Sequence, residues 1–216
     1  MNNYYDTFLQ MLELEDKESC LEFVLSKLEN GELDLITLYT EILEPSLNNM
    51  ICKESEKNIC IWKEHVRTSI VRTILECSYP YILQEKKKRN IKSNKGKLVV
   101  VCPPEEYHEV GAMTAANFFI LTGFETLFVG SNTPKEDFIG AIKYINPKYV
   151  AISVTNYYNL VSAKAIIQEI KHLTNNSVQI LVGGHAFNSN PMVYEEIGAH
   201  RLLQTYEDIR KFGEED

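Results

Sequence analysis

The sequence has no CxxC pair, only one tryptophan, and no apolar run approaching the roughly 20 residues that a membrane helix needs. Its five cysteines, Cys20, Cys52, Cys60, Cys77 and Cys102, are odd in number. That pattern fits reduced thiols in a reducing compartment better than a disulfide framework or a zinc site. Most lie in apolar contexts and read as small core residues. Neither a GxGxxG fingerprint nor a P-loop is present, so the usual dinucleotide and nucleoside-triphosphate sites are not expected. Basic residues are in deficit: 22 Lys and Arg against 30 Asp and Glu give a net charge of -8. That balance argues against nonspecific binding of nucleic acid by the whole chain. The first residues, Met1-Asn2-Asn3-Tyr4-Tyr5-Asp6, lack the basic and apolar regions of a signal peptide. A cytoplasmic protein with no membrane partner is the expectation.

Hydrophobic residues make up 44% and charged residues 24% of the 216 positions, enough for a packed core. From residue 3 to about 85 the pattern is helical throughout. Phe8, Met11 and Leu12 share a face, as do Cys20, Phe23, Val24 and Leu28, and Gly31 is placed to stop the second helix. Leu35, Ile36, Tyr39, Ile42 and Leu43 form a third face before Pro45, and a fourth helix is expected over 47–55. A long last helix, 59–83, carries Ile61, Val66, Ile70, Val71 and Ile74, with Pro80 expected to kink it. Amphipathic helices with short connections imply a bundle, residues 1–88. Within it, Trp62, Glu64 and His65 stand close together. Adjacent helical residues point about 100° apart, so Glu64 and His65 face different ways.

The basic stretch from Glu85 to Lys97 reads as a helix end and a solvated linker. Beyond it, over 97–216, strands and helices alternate. Strands are expected at 98–102, 126–129, 149–154, 179–182 and, weakly, 201–204; helices at 108–122, 134–144, 158–173, 190–197 and 206–212. Thr133 is expected to cap the second of these helices, with Pro134 first in it and Glu136 closing a capping box. The fold class is therefore α + α/β: an N-terminal bundle, then a Rossmann-like (flavodoxin-like) five-stranded parallel sheet with helices on both faces.

In such a sheet ligands bind at the carboxyl ends of the strands. The first of those ends carries Glu106-Tyr107-His108-Glu109-Val110-Gly111. An imidazole suits a borderline transition metal, and a carboxylate two residues away can fix its tautomer. Gly111 lets a bulky ligand approach the backbone. Strand three ends in Ser153-Val154-Thr155, and strand four in Gly183-Gly184-His185. A small hydroxyl and paired glycines leave room for a slender group. A receiver domain would need an aspartate after strand three, and a flavodoxin a Ser/Thr/Gly-rich loop after strand one; neither is there.

ExHxxG, SxT and GG together resemble the signature of the cobalamin-binding domain of methionine synthase, methylmalonyl-CoA mutase and corrinoid methyltransferase proteins. The form ExHEVG is most similar to light-responsive MerR-type repressors, as is Leu127–Pro134, and Ile59-x-Ile61-x-x-Glu64-His65 looks like their bundle helix. In those repressors a Trp stands ten residues before the Glu. Here Glu54 stands there, followed by Ser55 where the pattern can carry a second His, and the lone Trp62 lies nearer. The resemblance spans about residues 5–210. It implies that His108 is the lower ligand of cobalt in place of dimethylbenzimidazole, with Glu106 on its other ring nitrogen. The nucleotide tail would lie beside Ser153, Thr155, Gly183 and Gly184, and the bundle would cover the corrin with Glu64 and His65 near the upper ligand. The cofactor would be adenosyl-, methyl- or hydroxocobalamin.

Two functions follow. One is a sensor or regulatory module without its own DNA-binding domain, signalling through a regulator or as a homo-oligomer. The other is a corrinoid methyl-carrier subunit serving a separate methyltransferase. No acid, base or nucleophile constellation stands elsewhere, so the chain is not expected to be an enzyme on its own.

Overall fold

Among the described residues up to Glu85 the regular elements are all helical, because the apolar residues recur at helical spacing with no strand-like alternation. The structure, a computed structural model, describes residues 4–52 and 54–215. Met1 to Asn3, at the start of the stretch read for a leader, lie outside the described residues, as does the side chain of Ser55. Contacts divide the chain between Glu85 and Lys86 into a helical unit and an α/β unit.

In the helical unit, α1 spans Tyr4–Glu13 and α2 spans Lys17–Glu29. The Asp16 carboxylate caps α2 by accepting from the Ser19 N–H at 3.0 Å, and Gly31, at φ +70°, follows its end. Phe8, Leu12, Cys20, Val24 and Leu28 are buried, as the spacing predicts. The third helix does not stop before Pro45. α3 (Leu35–Thr37) passes into a π-helical stretch, Leu38–Leu43, and then into α4, Glu44–Asn48, with Pro45 in its first turn. The Glu44 N–H donates to the Tyr39 carbonyl, five residues back. This wider turn lets a residue without an N–H enter a continuing helix. The fourth helix expected at 47–55 is accordingly absent as drawn: α4 ends at Asn48, and a 3-10 helix covers Glu54–Ile59.

α5, Cys60–Lys88, runs on through Pro80 and ends in Lys86, Lys87 and Lys88, cations suited to a helix carboxyl end. Ile70, Val71 and Ile74 are buried, but Ile61 is 71% exposed. The first turn of α5 thus leaves the core, although its residues look apolar. Cys52 and Cys60 form a disulfide with Cα atoms 5.8 Å apart, correcting the expectation of free thiols throughout. They stand eight positions apart, a spacing that no CxxC rule flags.

The α/β unit holds a five-stranded parallel sheet in the order β2-β1-β3-β4-β5. The strands are β1 Lys97–Val101, β2 Glu125–Gly130, β3 Tyr149–Ser153, β4 Gln179–Gly183 and β5 Arg201–Leu202. Helices α6 (Val110–Leu121), α7 (Lys135–Ile145), α8 (Leu160–Leu173), α9 (Val193–Glu196) and α10 (Tyr206–Glu215) lie between or after them. Side chains alternate across the strands. Val99, Val101, Val150, Ile152, Ile180 and Val182 pack against α7, α8 and α9. On the other face Tyr149 meets Phe124 and Phe212, whose rings stack at 5.5 Å. The start of α7 differs from expectation. Pro134 is the N-cap, with extended ψ, and no side chain caps the helix; the helix begins one residue later than the Thr133 box requires.

One buried polar contact joins the π-helical stretch to α5: Tyr39 Oη and Ser78 Oγ lie 2.6 Å apart. Ser78 already donates its proton to the Leu75 carbonyl at 2.8 Å, so Tyr39 is the donor. Tyr39→Phe should therefore cost about 1 kcal/mol in urea unfolding, since Ser78 keeps a partner for its proton.

Candidate functional site

The sheet order puts β1 between β2 and β3. Chain leaving β1 and chain leaving β3 therefore diverge to opposite faces, and a crevice opens at their carboxyl ends. The β1 loop is stiffened from its first residues by Pro103 and Pro104. Glu105 stands at φ +66°, a left-handed conformation that costs a residue with a side chain about 1 kcal/mol. The loop after β2 holds it there. Asn132 Oδ1 accepts from the Glu105 N–H at 3.0 Å, the Asn132 N–H donates to the Glu106 carbonyl at 3.1 Å, and Glu109 Oε2 accepts from the Ser131 N–H at 3.0 Å.

The turn delivers Glu106 into the crevice with its side chain 0% exposed. Five donors surround this carboxylate. Oε1 accepts from the His108 N–H at 3.2 Å and lies 2.5 Å from His108 Nδ1. Oε2 accepts from the backbone N–H groups of Thr155 (3.0 Å) and Asn156 (2.9 Å) and from Asn159 Nδ2 (3.1 Å). Burial alone would push the Glu106 carboxyl up. The bonds from Asn156, His108 and Asn159 together outweigh it, and the group is held below its ordinary value of 4.5. It is a carboxylate at neutral pH, so the Nδ1 of neutral His108 carries the proton toward it and Nε2 keeps the lone pair. The ring is 55% exposed, and Nε2 has no hydrogen-bond partner among the described residues. A buried anion thus orients an outward imidazole, the geometry of a metal ligand backed by its carboxylate. Cys102, buried beneath the loop, is no rival ligand: burial, then the charges of Glu106 and Glu109, push its thiol up to about 12.

The remaining residues singled out in the sequence divide into groups. Tyr107 is exposed, Val110 opens α6, and Gly111 is exposed with open space where a Cβ would stand. Ser153 and Gly183 are register partners at the ends of β3 and β4. Thr155 reaches Glu106 through its backbone. A Cβ on Gly183 would lie 2.4 Å from the Leu203 carbonyl oxygen, and one on Gly184, at φ +106°, 2.4 Å from that of Val154. The glycine pair thus admits close backbone approach at the strand ends. His185 begins the next turn, where Asn188 Nδ2 lies 3.1 Å from its Nδ1; Asn188 Oδ1 in turn accepts from Gln204 at 2.8 Å. In the helical unit, Trp62 and His65 line one hollow of about 310 Å³ with Val66, Ser69 and Ile70. Glu64 lines another, of about 260 Å³, with Arg67. The Glu-His pair therefore does point two ways.

Asn159, Asn132, Ser131 and Glu109 were not legible as site residues. Asn159 is buried and donates both to Glu106 and to the Glu105 carbonyl at 3.3 Å. It stands 53 residues after Glu106, and only the pairing of β1 with β3 brings them together. The nearest hint was that asparagines favour turns at strand ends.

Among the described residues no group of three or more His, Cys, Asp or Glu is arranged to hold a metal ion. A metal at His108 would bring most of its other ligands with it. A model of the B12 binding domain matches residues 96–209. The HTH-type transcriptional repressor CarH of Myxococcus xanthus is 27% identical over 110 residues, 51% of this chain. The chain spans only 36% of that protein's length. The monomethylamine corrinoid protein of Methanosarcina barkeri shares the fold with a TM-score of 0.80 at 17% identity, over 98% of this chain and 97% of that one. A cobalamin-binding protein from Desulfitobacterium hafniense DCB-2 gives 0.53 at 18% identity, over 98% and 97%.

Two measurements probe this geometry. Because the folded state holds Glu106 below 4.5, its contribution to stability is full above that pH and is lost as pH falls through the folded value. The stability difference between the natural protein and Glu106→Gln, from denaturant unfolding, should shrink as pH falls below about pH 4.5. Gly184→Ala should destabilise the α/β unit by about 2 kcal/mol or more, since left-handed backbone and a carbonyl contact both oppose a Cβ.

Proposed function

Because the chain belongs to the B12 binding domain family through residues 96–209, we propose that it binds cobalamin with His108 Nε2 as the lower axial ligand. The observation that carries this is the 2.5 Å contact between Glu106 and a half-exposed His108 ring. Cobalamin would supply the organometallic chemistry, and the chain would position and tune it. Glu106, fixed by Asn159 and the β3 loop, holds the tautomer and raises the basicity of the imidazole. Tyr107, Val110 and Gly111 border the approach to that ring. The displaced nucleotide tail takes the space at Ser153, Thr155, Gly183 and Gly184, with His185 beside it. A side chain on either glycine would push apart the strand ends that wall this space.

The module passes the state of its cofactor to a protein partner. A methyl-carrier subunit and a regulatory sensor both fit that description. The likeness to the M. barkeri corrinoid protein runs through both units, whereas the CarH likeness covers about half of this chain. That difference supports the carrier; the 27% identity to a repressor supports the sensor.

Titration with methyl-, adenosyl- and hydroxocobalamin, followed by absorbance in the dark and in light, tests the reading. The natural protein should shift each spectrum to that of a base-off form with a protein nitrogen on cobalt. His108→Ala should abolish the shift, and Glu106→Gln should weaken binding about 10- to 100-fold. Equal spectra and affinity for His108→Ala would refute ligation by this residue. Methylation of the reduced, bound corrinoid by a methyltransferase would favour the carrier. A light-dependent change of oligomer with adenosylcobalamin would favour the sensor.

A further inference from the structure

Strand β5, Arg201–Leu202, stands at one edge of the sheet and pairs with β4. So short a strand has few ladder bonds, and one bond at its start is unusual. The His200 N–H donates to the Ile180 carbonyl at 2.8 Å. In a regular ladder the Ile180 N–H would return to a backbone carbonyl of the neighbouring strand. Instead it donates to His200 Nδ1 at 2.8 Å, so an imidazole stands in for that carbonyl. Ile180 lies in the core, 0% exposed, and its N–H has no water to turn to. His200 is exposed, so protons reach the acceptor from solvent. Nδ1 accepts only while it keeps its lone pair, which means a neutral ring with its proton on Nε2. A second proton goes to Nδ1, sets two N–H groups face to face and leaves a buried donor unpaired.

The charges around the ring do not offset this. Burial, then the charge of Lys171 on α8, hold the His200 pKa below its ordinary 6.5. No described carboxylate pairs with the ring. β4 brings no titratable side chain. α9 brings Tyr194, Glu195 and Glu196, with the Tyr194 hydroxyl donating to Glu195 at 2.9 Å. Arg201, next in the chain, pairs with Glu215 of α10 at 3.1 Å. The chain beyond β5 depends on the same edge. The Leu203 N–H donates to the Val182 carbonyl at 2.8 Å, the Leu203 carbonyl stands against Gly183, and α10 then carries Phe212 back to stack on Phe124. We propose that His200 is a pH-sensitive latch on this sheet edge: as the neutral ring it holds β5 against β4, and as the imidazolium it releases that edge in mildly acidic solution. A depressed folded value means that the latch contributes fully above the unfolded value of about 6.5 and is lost as pH falls through the folded one. It works without a cofactor and stands apart from the cobalamin reading.

Amide hydrogen exchange of the full chain, without added corrinoid, is followed by NMR from about pH 7.5 to about pH 5 and corrected for intrinsic exchange rates. The Ile180 amide should be protected at the upper end and about tenfold less protected at the lower. The Val150 amide of the central strand β3 should change little over the same range. The His200 ring nitrogen shifts should titrate along the same curve as the loss of Ile180 protection. His200→Asn sets an amide oxygen where Nδ1 stands and takes up no proton, so Ile180 should stay protected throughout. His200→Ala should leave Ile180 as weakly protected at about pH 7.5 as the natural protein is at about pH 5. An Ile180 amide indifferent to pH, the same pH dependence in His200→Asn, or full protection in His200→Ala would overturn the proposal. A Val150 amide that loosens in step with Ile180 would do so too, by showing that the whole sheet opens rather than its edge.

Discussion

A single carboxylate, Glu106, ties the α/β unit together at the edge where its chemistry lies. It is fully buried, and it survives there as an anion only because five donors converge on it. Those donors come from two loops that the chain order separates by about fifty residues. Satisfying this charge therefore fixes the β1 loop against the β3 loop and fixes the His108 ring in one orientation. The cost of burying a charge and the precision of an outward ligand are two consequences of one arrangement.

The scaffold around Glu106 is arranged to make that possible. The parallel order with β1 beside β3 brings the free N–H groups of Thr155 and Asn156 to the same crevice. Asn132 and Ser131, from the β2 loop, hold the strained backbone at Glu105. Gly183 and Gly184 let the strand ends close up at the other side of the crevice. In the helical unit the same logic runs on a smaller scale. A π-helical stretch accommodates Pro45, and Tyr39, which lies in that stretch, reaches α5 with a buried hydrogen bond to Ser78.

The periodic parts of this protein were open to reading. Strands β1 to β4 are short apolar runs bounded by turn residues, and each lies within a residue or two of where the run stands. The buried faces of α1, α2 and much of α5 follow their spacing. Readings failed where a local rule met a neighbour. Pro45 reads as a helix stop, but a π turn absorbs it. Thr133 reads as a cap, but extended backbone at Pro134 starts the helix later. Ile61 reads as core, yet the start of α5 stands clear of it. Cys52 and Cys60 read as separate thiols because nothing in their spacing says that the chain between them folds back.

At the site the same division holds. The order of residue types settled which ones are chemically apt: an imidazole two places after a carboxylate, a hydroxyl pair, a glycine pair, each at the end of an apolar run. A one-dimensional pattern can do this because the ligand and its nearest carboxylate are neighbours in the chain. Tertiary structure alone decided that Glu106 is buried and that Asn159 and two backbone N–H groups complete its shell. Those facts depend on which strands lie side by side and which helix faces meet. Contacts across tens of residues leave no periodic trace in the sequence that makes them.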